Sequence, residues 1–268
     1  MLIHTTWKND TVPEHWESTL PAWKRLHPTA DIKLWTDAQI RELIASEHAE
    51  YLEVFDSLPH NIQRVDMGRT MILFKFGGIY ADLDVQPLVS IDSLYQLFLD
   101  SNCDIAFAET PNSMGKYFYS NYLMFARPQA SFWPIYWESI RLEKWRQAPW
   151  VLRTLKKMTL HFEVMLTTGP TAISLCISRL PLEEKQKIWL ISNTYVGQNQ
   201  NAGKEVSSRH VWHMFRHLPG ESWVDKSTSV LKLCSKIVNN WKDVLIILLL
   251  LLWIISVVVL VVTRPKKK

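Results

Sequence analysis

The sequence predicts an α/β fold with a mainly parallel sheet, and three observations carry that prediction. Apolar runs of strand length alternate with longer amphipathic stretches along most of the chain. The stretch from Asn61 to Val85, NIQRVDMGRTMILFKFGGIYADLDV, reads as a helix, a glycine pair, a buried strand and two acids in immediate succession. Ligands of open parallel sheets bind beyond the carboxyl ends of the strands, which is where those acids fall.

The elements follow in order. Leu2-Ile3-His4 reads as a first strand, ending near Thr5-Thr6-Trp7-Lys8. A helix is predicted over Pro13–Leu26, with Pro13 suited to its start and Trp16, Leu20 and Trp23 on its buried side. Asp31–Trp35 is a second strand, and Thr36 and Asp37 cap a helix that runs through Ala45. Asn61 is the expected N-cap of the central helix, whose residues Ile62, Val65, Arg69, Leu73 and Phe76 share one face by their three- and four-residue steps. Asp66 lies three residues before Arg69, on or beside that face. Gly77-Gly78 offers the left-handed residue that ends a helix, and Ile79-Tyr80-Ala81 is a short buried strand. Leu94–Leu99 is helical, Asp104–Ala108 and Asn121–Ala126 are strands, and Phe132–Leu142 is a helix. Pro170 suits the first turn of a helix over Thr171–Arg179, and Ile188–Ser192 is a late strand.

The chemistry centres on Asp82 and Asp84. In extended chain, residues two apart project from one face, so both carboxylates would stand together at a strand end. Two acids so placed repel unless a positive charge lies between them. Carboxylate oxygens suit Mg²⁺ and Mn²⁺, and Mg²⁺ is usually shared between a few protein carboxylates and substrate phosphates. Two solvated acids in a turn would look the same, but the preceding helix with its charged pair, the Gly-Gly and the buried strand make the pattern much more specific.

The same stretch resembles the D-x-x-R…GG-x-Y-x-D-x-D signature of the DXD-type sugar transferases of glycosyltransferase family 32. That family includes yeast initiating α-1,6-mannosyltransferases, the catalytic subunits that mannosylate inositol phosphorylceramide, and the glucosylating domains of large clostridial toxins. The I-Q-R-V-D opening is most similar to the inositol-phosphorylceramide mannosyltransferases. IHTTWK, Trp23 with Pro28, the LWTD of Leu34–Asp37, the T-G-P ending at Pro170 and the G-E-S-W ending at Trp223 also resemble family segments.

The resemblance implies a GT-A type nucleotide-sugar-binding domain and transfer of a hexose, mannose before others, from a nucleoside diphosphate to a glycan or glycolipid hydroxyl with retention of configuration. GDP-mannose is the favoured donor and a UDP-hexose the other choice, with Mn²⁺ or Mg²⁺ as cofactor. It makes Asp84 the first metal ligand and has Asp82 hold ribose and metal. It has Asp66 and Arg69 grip the donor sugar and phosphate. Trp7 would stack on the base or serve as a core residue at a strand end. Asn121 would contact the donor sugar or acceptor, or close a turn. Ser222 and Trp223 belong to a lid near the phosphates, for which His213 and His217 are further candidates. A catalytically silent, membrane-anchored nucleotide-sugar binder or scaffold is the alternative class, against which stands the presence of all four signature residues. A metal phosphotransferase of another kind is disfavoured, since neither a P-loop nor a kinase motif is present.

Composition sets the outer bounds. The 268 residues are enough for one sizeable core, expected over 1–225 as the catalytic domain. The net charge of +4 is inflated by the terminal lysines, and no basic run with interleaved aromatics points to nucleic acid. The 13 Trp suit carbohydrate handling and core packing alike. Cys103, Cys176 and Cys234 have neither zinc spacing nor a disulfide framework, so free thiols are expected. Trp145–Lys157 is basic and aromatic and reads as a solvated helix or a membrane-surface contact. Residues 226–243 read as a connector, 244–262 as a transmembrane helix and 263–268 as a basic tail. Val244–Val262 carries no charge and at helical rise covers roughly 28 Å, close to a bilayer's hydrocarbon thickness. The MLIHTTWKND start shows no signal-peptide pattern. The tail's cations favour a lumenal catalytic domain by the positive-inside rule, Lys226, Lys232, Lys236 and Lys242 on the other flank oppose it, and the start without a signal-peptide pattern also allows a tail-anchored protein with a cytosolic domain. The family resemblance implies the lumen of the Golgi or another endomembrane.

Overall fold

The computed structural model describes residues 1–111, 117–142, 160–192 and 214–218. A six-stranded sheet of order β2-β1-β3-β6-β5-β7 forms its centre, from β1 (Leu2–Trp7), β2 (Asp31–Thr36), β3 (Gly78–Ala81), β5 (Ile105–Pro111), β6 (Tyr117–Ala126) and β7 (Ile188–Ile191). The β1–β2, β1–β3 and β5–β7 ladders are parallel. The two ladders of β6 are antiparallel, so β6 alone reverses an otherwise parallel sheet. The mainly parallel sheet of the sequence reading is therefore a mixed one. A second, two-stranded sheet pairs β4 (Val85–Pro87) with β8 (Phe215–His217) and was not anticipated.

The two-residue period of the strands divides the core between the two faces of the large sheet. Tyr80, Met124 and Phe107 join a cluster with Met67, Met71, Trp133 and Trp137, on the side of α2 (Asp37–Glu47), α4 (Asn61–Phe76) and α6 (Phe132–Arg141). Ile79, Leu123 and Phe125 join a second cluster with Trp23 of α1 (Thr19–Leu26) and Phe98 of α5 (Asp92–Asp100). Helices thus cover both faces, as the parallel strands of the mixed sheet require.

Several local readings hold. Thr36 caps α2, accepting from Gln39 N at 3.3 Å while Gln39 Oε1 accepts from Thr36 N at 3.0 Å. Gly77 and Gly78 both take positive φ, 64° and 89°, and a Cβ on Gly78 would lie 2.6 Å from the Leu2 carbonyl oxygen. Helix and strand can turn that closely only over glycine. Pro170 occupies the first turn of its helix, which spans Pro170–Ser178.

Others are corrected. The helix predicted over Pro13–Leu26 is a 3-10 turn, Glu14–Trp16, followed by α1 from Thr19. Pro21 explains the break, because its ring and missing N–H are tolerated only in a helix's first turn. The N-cap of α4 is His60 rather than Asn61. Gln63 Oε1 accepts from His60 N at 3.2 Å, while the Asn61 amide is drawn away to Asp37 Oδ2 at 2.8 Å. The middle of α4, from Asp66 to Leu73, is buried on all sides rather than on one face. Helices α3 (Leu52–Ser57) and α7 (Leu160–Thr167) had not been foreseen. The helix over Pro170–Ser178 is α8, and α9 (Leu182–Lys185) completes the helices among the described residues. The connector, the proposed span 244–262, the tail, Cys234 and the Trp145–Lys157 segment lie outside the described residues.

Candidate functional site

The carboxyl ends of β1 and β3 and the start of α2 enclose a cavity of about 400 Å³. Thr6, Trp7 and Lys8 come from the end of β1, and Asp37 from the start of α2 next door. The β1–β2 register sets Trp7 beside Thr36, so Trp7 and Asp37 meet there by strand pairing. Asn61, Ile62, Val65 and Arg69 of α4 contribute a third side, and Asp82, Leu83 and Asp84 a fourth.

Asp82 and Asp84 are not on extended chain. Val85 N donates to Asp82 O at 2.9 Å, which closes a tight turn over the D-x-D. Asp82 N donates to Tyr122 O at 2.8 Å, and Leu218 N to Asp84 O at 2.8 Å, so β6 and the segment after β8 clamp the turn. Leu83 is the buried anchor between the two acids. The acids still converge on one cavity, but through a turn held by distant chain rather than by strand alternation.

Arg69 lies behind the turn. Its Nη1 is 3.0 Å from Asp82 Oδ1 and donates to Asn121 O at 2.9 Å, and its Nη2 is 3.3 Å from Asp66 Oδ1. The Tyr80 hydroxyl donates to Asp82 Oδ1 at 2.8 Å, so at its 2.8 Å contact with Thr6 Oγ1 the threonine is the donor. The Tyr80 ring lies under the Arg69 guanidinium at 4.8 Å. A positive charge therefore does lie against the D-x-D, and it is the protein's own.

Asp66 accepts from Asn121 Nδ2 at 2.8 Å and from Thr168 Oγ1 at 2.9 Å. Burial pushes its carboxyl up to about 7, against the pull of Arg69 and the two donors. Arg69 lines the cavity, whereas Asp66 and Asn121 lie behind it and do not. Burial, reinforced by the neighbouring Asp82 charge, likewise raises Asp84 to about 7. A cation between Asp82 and Asp84 would relieve that repulsion, so the acids present suit a hard divalent ion. Among the described residues no group of three or more His, Cys, Asp and Glu comes together.

Trp7 is partly exposed in the cavity, set edge-on to Trp16 at 5.0 Å with the Lys8 ammonium 5.4 Å from its ring centre. His217, on β8, stands against the Tyr122 ring at 4.5 Å, and burial lowers its pKa while the charge of Asp82 opposes that. Ser222, Trp223 and His213 lie outside the described residues. Sequence reasoning missed Thr6, Tyr80 and Thr168 as parts of this network. Thr168 stood inside the T-G-P motif, but nothing local indicated that it would meet Asp66.

Residues 13–122 match the family described as "Glycosyltransferase sugar-binding region containing DXD motif". A protein of Schizosaccharomyces pombe named inositol phosphoceramide mannosyltransferase 3 is 44% identical over 93 residues, which is 35% of this chain and 26% of that one. Another from the same yeast, inositol phosphoceramide mannosyltransferase 1, is 27% identical over 228 residues, 83% of this chain and 61% of that one. The aligned chain therefore spans only 26% and 61% of the length of these relatives. Among solved structures, the PaToxG glycosyltransferase superposes with a TM-score of 0.47 at 11% identity, over 66% of this chain and 68% of that one.

Proposed function

We propose, from the match of residues 13–122 to the DXD-containing sugar-binding region of glycosyltransferases, that this chain is a metal-dependent, retaining glycosyltransferase of the GT-A type. It moves a hexose, mannose before others, from a nucleoside diphosphate to a hydroxyl of a glycan or glycolipid. The observation that carries this reading is the meeting of Arg69, Asp82 and Asp84 in one cavity with the partly exposed Trp7. The names of the mannosyltransferase relatives support mannose as the sugar and a phosphorylated sphingolipid as the acceptor.

Asp84 and Asp82 are the residues that would hold Mn²⁺ or Mg²⁺, with Asp82 also reaching the ribose. Bound there, the ion stabilises the charge that grows on the leaving diphosphate. Arg69 adds a fixed positive charge from the helix side, and its fork of donors suits phosphate oxygens. Trp7 offers a face for the base. Ser222 and Trp223 are proposed to close over the phosphates. The retaining step is left without an assigned nucleophile.

The test is donor turnover on a panel of GDP-mannose, UDP-glucose, UDP-galactose and UDP-GlcNAc, with Mn²⁺ and with excess EDTA. Metal-dependent cleavage of GDP-mannose is expected. Binding of a donor without any cleavage or transfer would make the chain a silent binder instead. Trp7→Ala should raise the donor KM more than it lowers kcat, because stacking holds ground and transition states alike. An unaltered donor KM would remove Trp7 from the site.

We also propose that residues 244–262 span a bilayer of the Golgi or a related endomembrane, with the catalytic domain in the lumen. The domain should then resist added protease in sealed microsomes until detergent is added. Digestion without detergent would establish the opposite orientation, and release of the full chain by carbonate would exclude the span.

A further inference from the structure

The turn from Leu160–Thr167 into Pro170–Ser178 is unusually confined. Thr168 N and Gly169 N both donate to Val164 O, at 3.0 and 2.9 Å. A Cβ on Gly169 would lie 2.9 Å from the Met165 Cα, so only glycine fits there. Pro170 then opens the next helix at a position where its missing N–H costs nothing. Between these constraints Thr168 is fully buried. The Tyr136 hydroxyl pins its carbonyl from behind at 2.5 Å, and its own hydroxyl reaches Asp66 Oδ2 in front at 2.9 Å.

Asp66 would be an unreliable partner for Arg69 without such help. A carboxylate with no access to water tends to take up a proton, and a protonated Asp66 would attract the guanidinium only weakly. Hydrogen bonds donated to the ionised form oppose that protonation. Thr168 Oγ1 donates to one oxygen and Asn121 Nδ2 to the other, and Asn121 O also accepts directly from Arg69 Nη1 at 2.9 Å.

We infer that Thr168 and Asn121 are positioning residues for donor binding: they hold Asp66 as a carboxylate behind Arg69, which presents its guanidinium to the phosphates of a nucleoside diphosphate at the D-x-D turn. This rests on the functional reading above. It gives Asn121 a role other than sugar contact, and it gives the T-G-P motif a function beyond starting a helix. Asp66 acts through Arg69 rather than by touching the donor.

The test is titration of the full chain at pH 8, where Asp66 is ionised in the parent, with GDP and with UDP, each with Mn²⁺, followed by tryptophan fluorescence. Thr168→Val keeps the shape and removes the hydroxyl, and the dissociation constant is expected to rise about tenfold, in keeping with loss of one hydrogen bond to a charged group. Thr168→Ser restores the hydroxyl and is expected to return the constant to within about threefold of the parent. The constants are compared at a temperature where circular dichroism shows both proteins fully folded, because a lower folded fraction would itself raise the apparent constant. A folded Thr168→Val with the parent's constant, whatever its thermal midpoint, overturns the inference. Should Thr168→Val not fold, Asn121→Ala carries the same expectation and the same refutation from a different element. If the parent binds neither nucleotide, the functional reading itself falls and takes this one with it. Binding by the parent with no change in either variant defeats the positioning role alone.

Discussion

Asp84→Asn is expected to lower transfer by about a thousandfold or more, equivalent to ~4 kcal/mol of transition-state stabilisation, while leaving the fold intact. The amide keeps the shape of the turn, whose backbone bonds from Val85 and Leu218 do not involve this side chain. What it removes is the negative charge on the carboxyl proposed to hold the metal. The ligand-free protein should in fact become more stable at neutral pH. Asp84 is raised from 3.8 to about 7 by burial and by Asp82, so between those values the folded state holds a proton that the unfolded state has lost. Stability accordingly falls as pH rises from about 4 to about 7 and stays low above that. Asp66 contributes in the same direction over the same window. Thermal midpoints across that range should decline less steeply in Asp84→Asn than in the parent. Full activity in the variant, or in excess EDTA, would end the metal role.

Arg69→Met is expected to abolish transfer and also to destabilise the fold by about 3–5 kcal/mol at pH 8, roughly a 10 °C fall in thermal midpoint. Arg69 is 2% exposed and faces Asp66 and Asp82, so its loss leaves Asp66 as an uncompensated charge in a dry site. Asp82 fares better, because its side chain is 30% exposed and water can solvate it. The damage should shrink toward pH 5. Asp66 is already raised to about 7 with Arg69 beside it, and removing the cation raises it further, so at low pH it is simply protonated. Unfolding at pH 5 and pH 8 measures this directly. An equal loss at both values would mean that packing, not charge, is what Arg69 contributes.

The sequence alone determined what short-range physics controls. The capping box at Thr36, the positive φ of Gly77-Gly78 and the first-turn proline at Pro170 depend on residues a few positions apart, and all three are present. Pro21 carries an equally local signal, which confines it to the first turn of α1 and so sets the helix start at Thr19 rather than near Pro13. The alternation of elements and the D-x-D beyond a strand were legible for the same reason, and so was the likeness of residues 13–122 to the DXD-containing sugar-binding region. Tertiary structure alone decided how the charges are arranged. Whether Asp82 and Asp84 stand on a strand or in a turn is settled by Tyr122 O and Leu218 N, which arrive from remote parts of the chain. Whether Asp66 faces a substrate or stands behind Arg69 depends on Asn121 and Thr168, separated from it by 55 and 102 residues. A carboxylate's role is set by the donors and cations within hydrogen-bond reach, and folding brings those together from positions that no sequence spacing encodes.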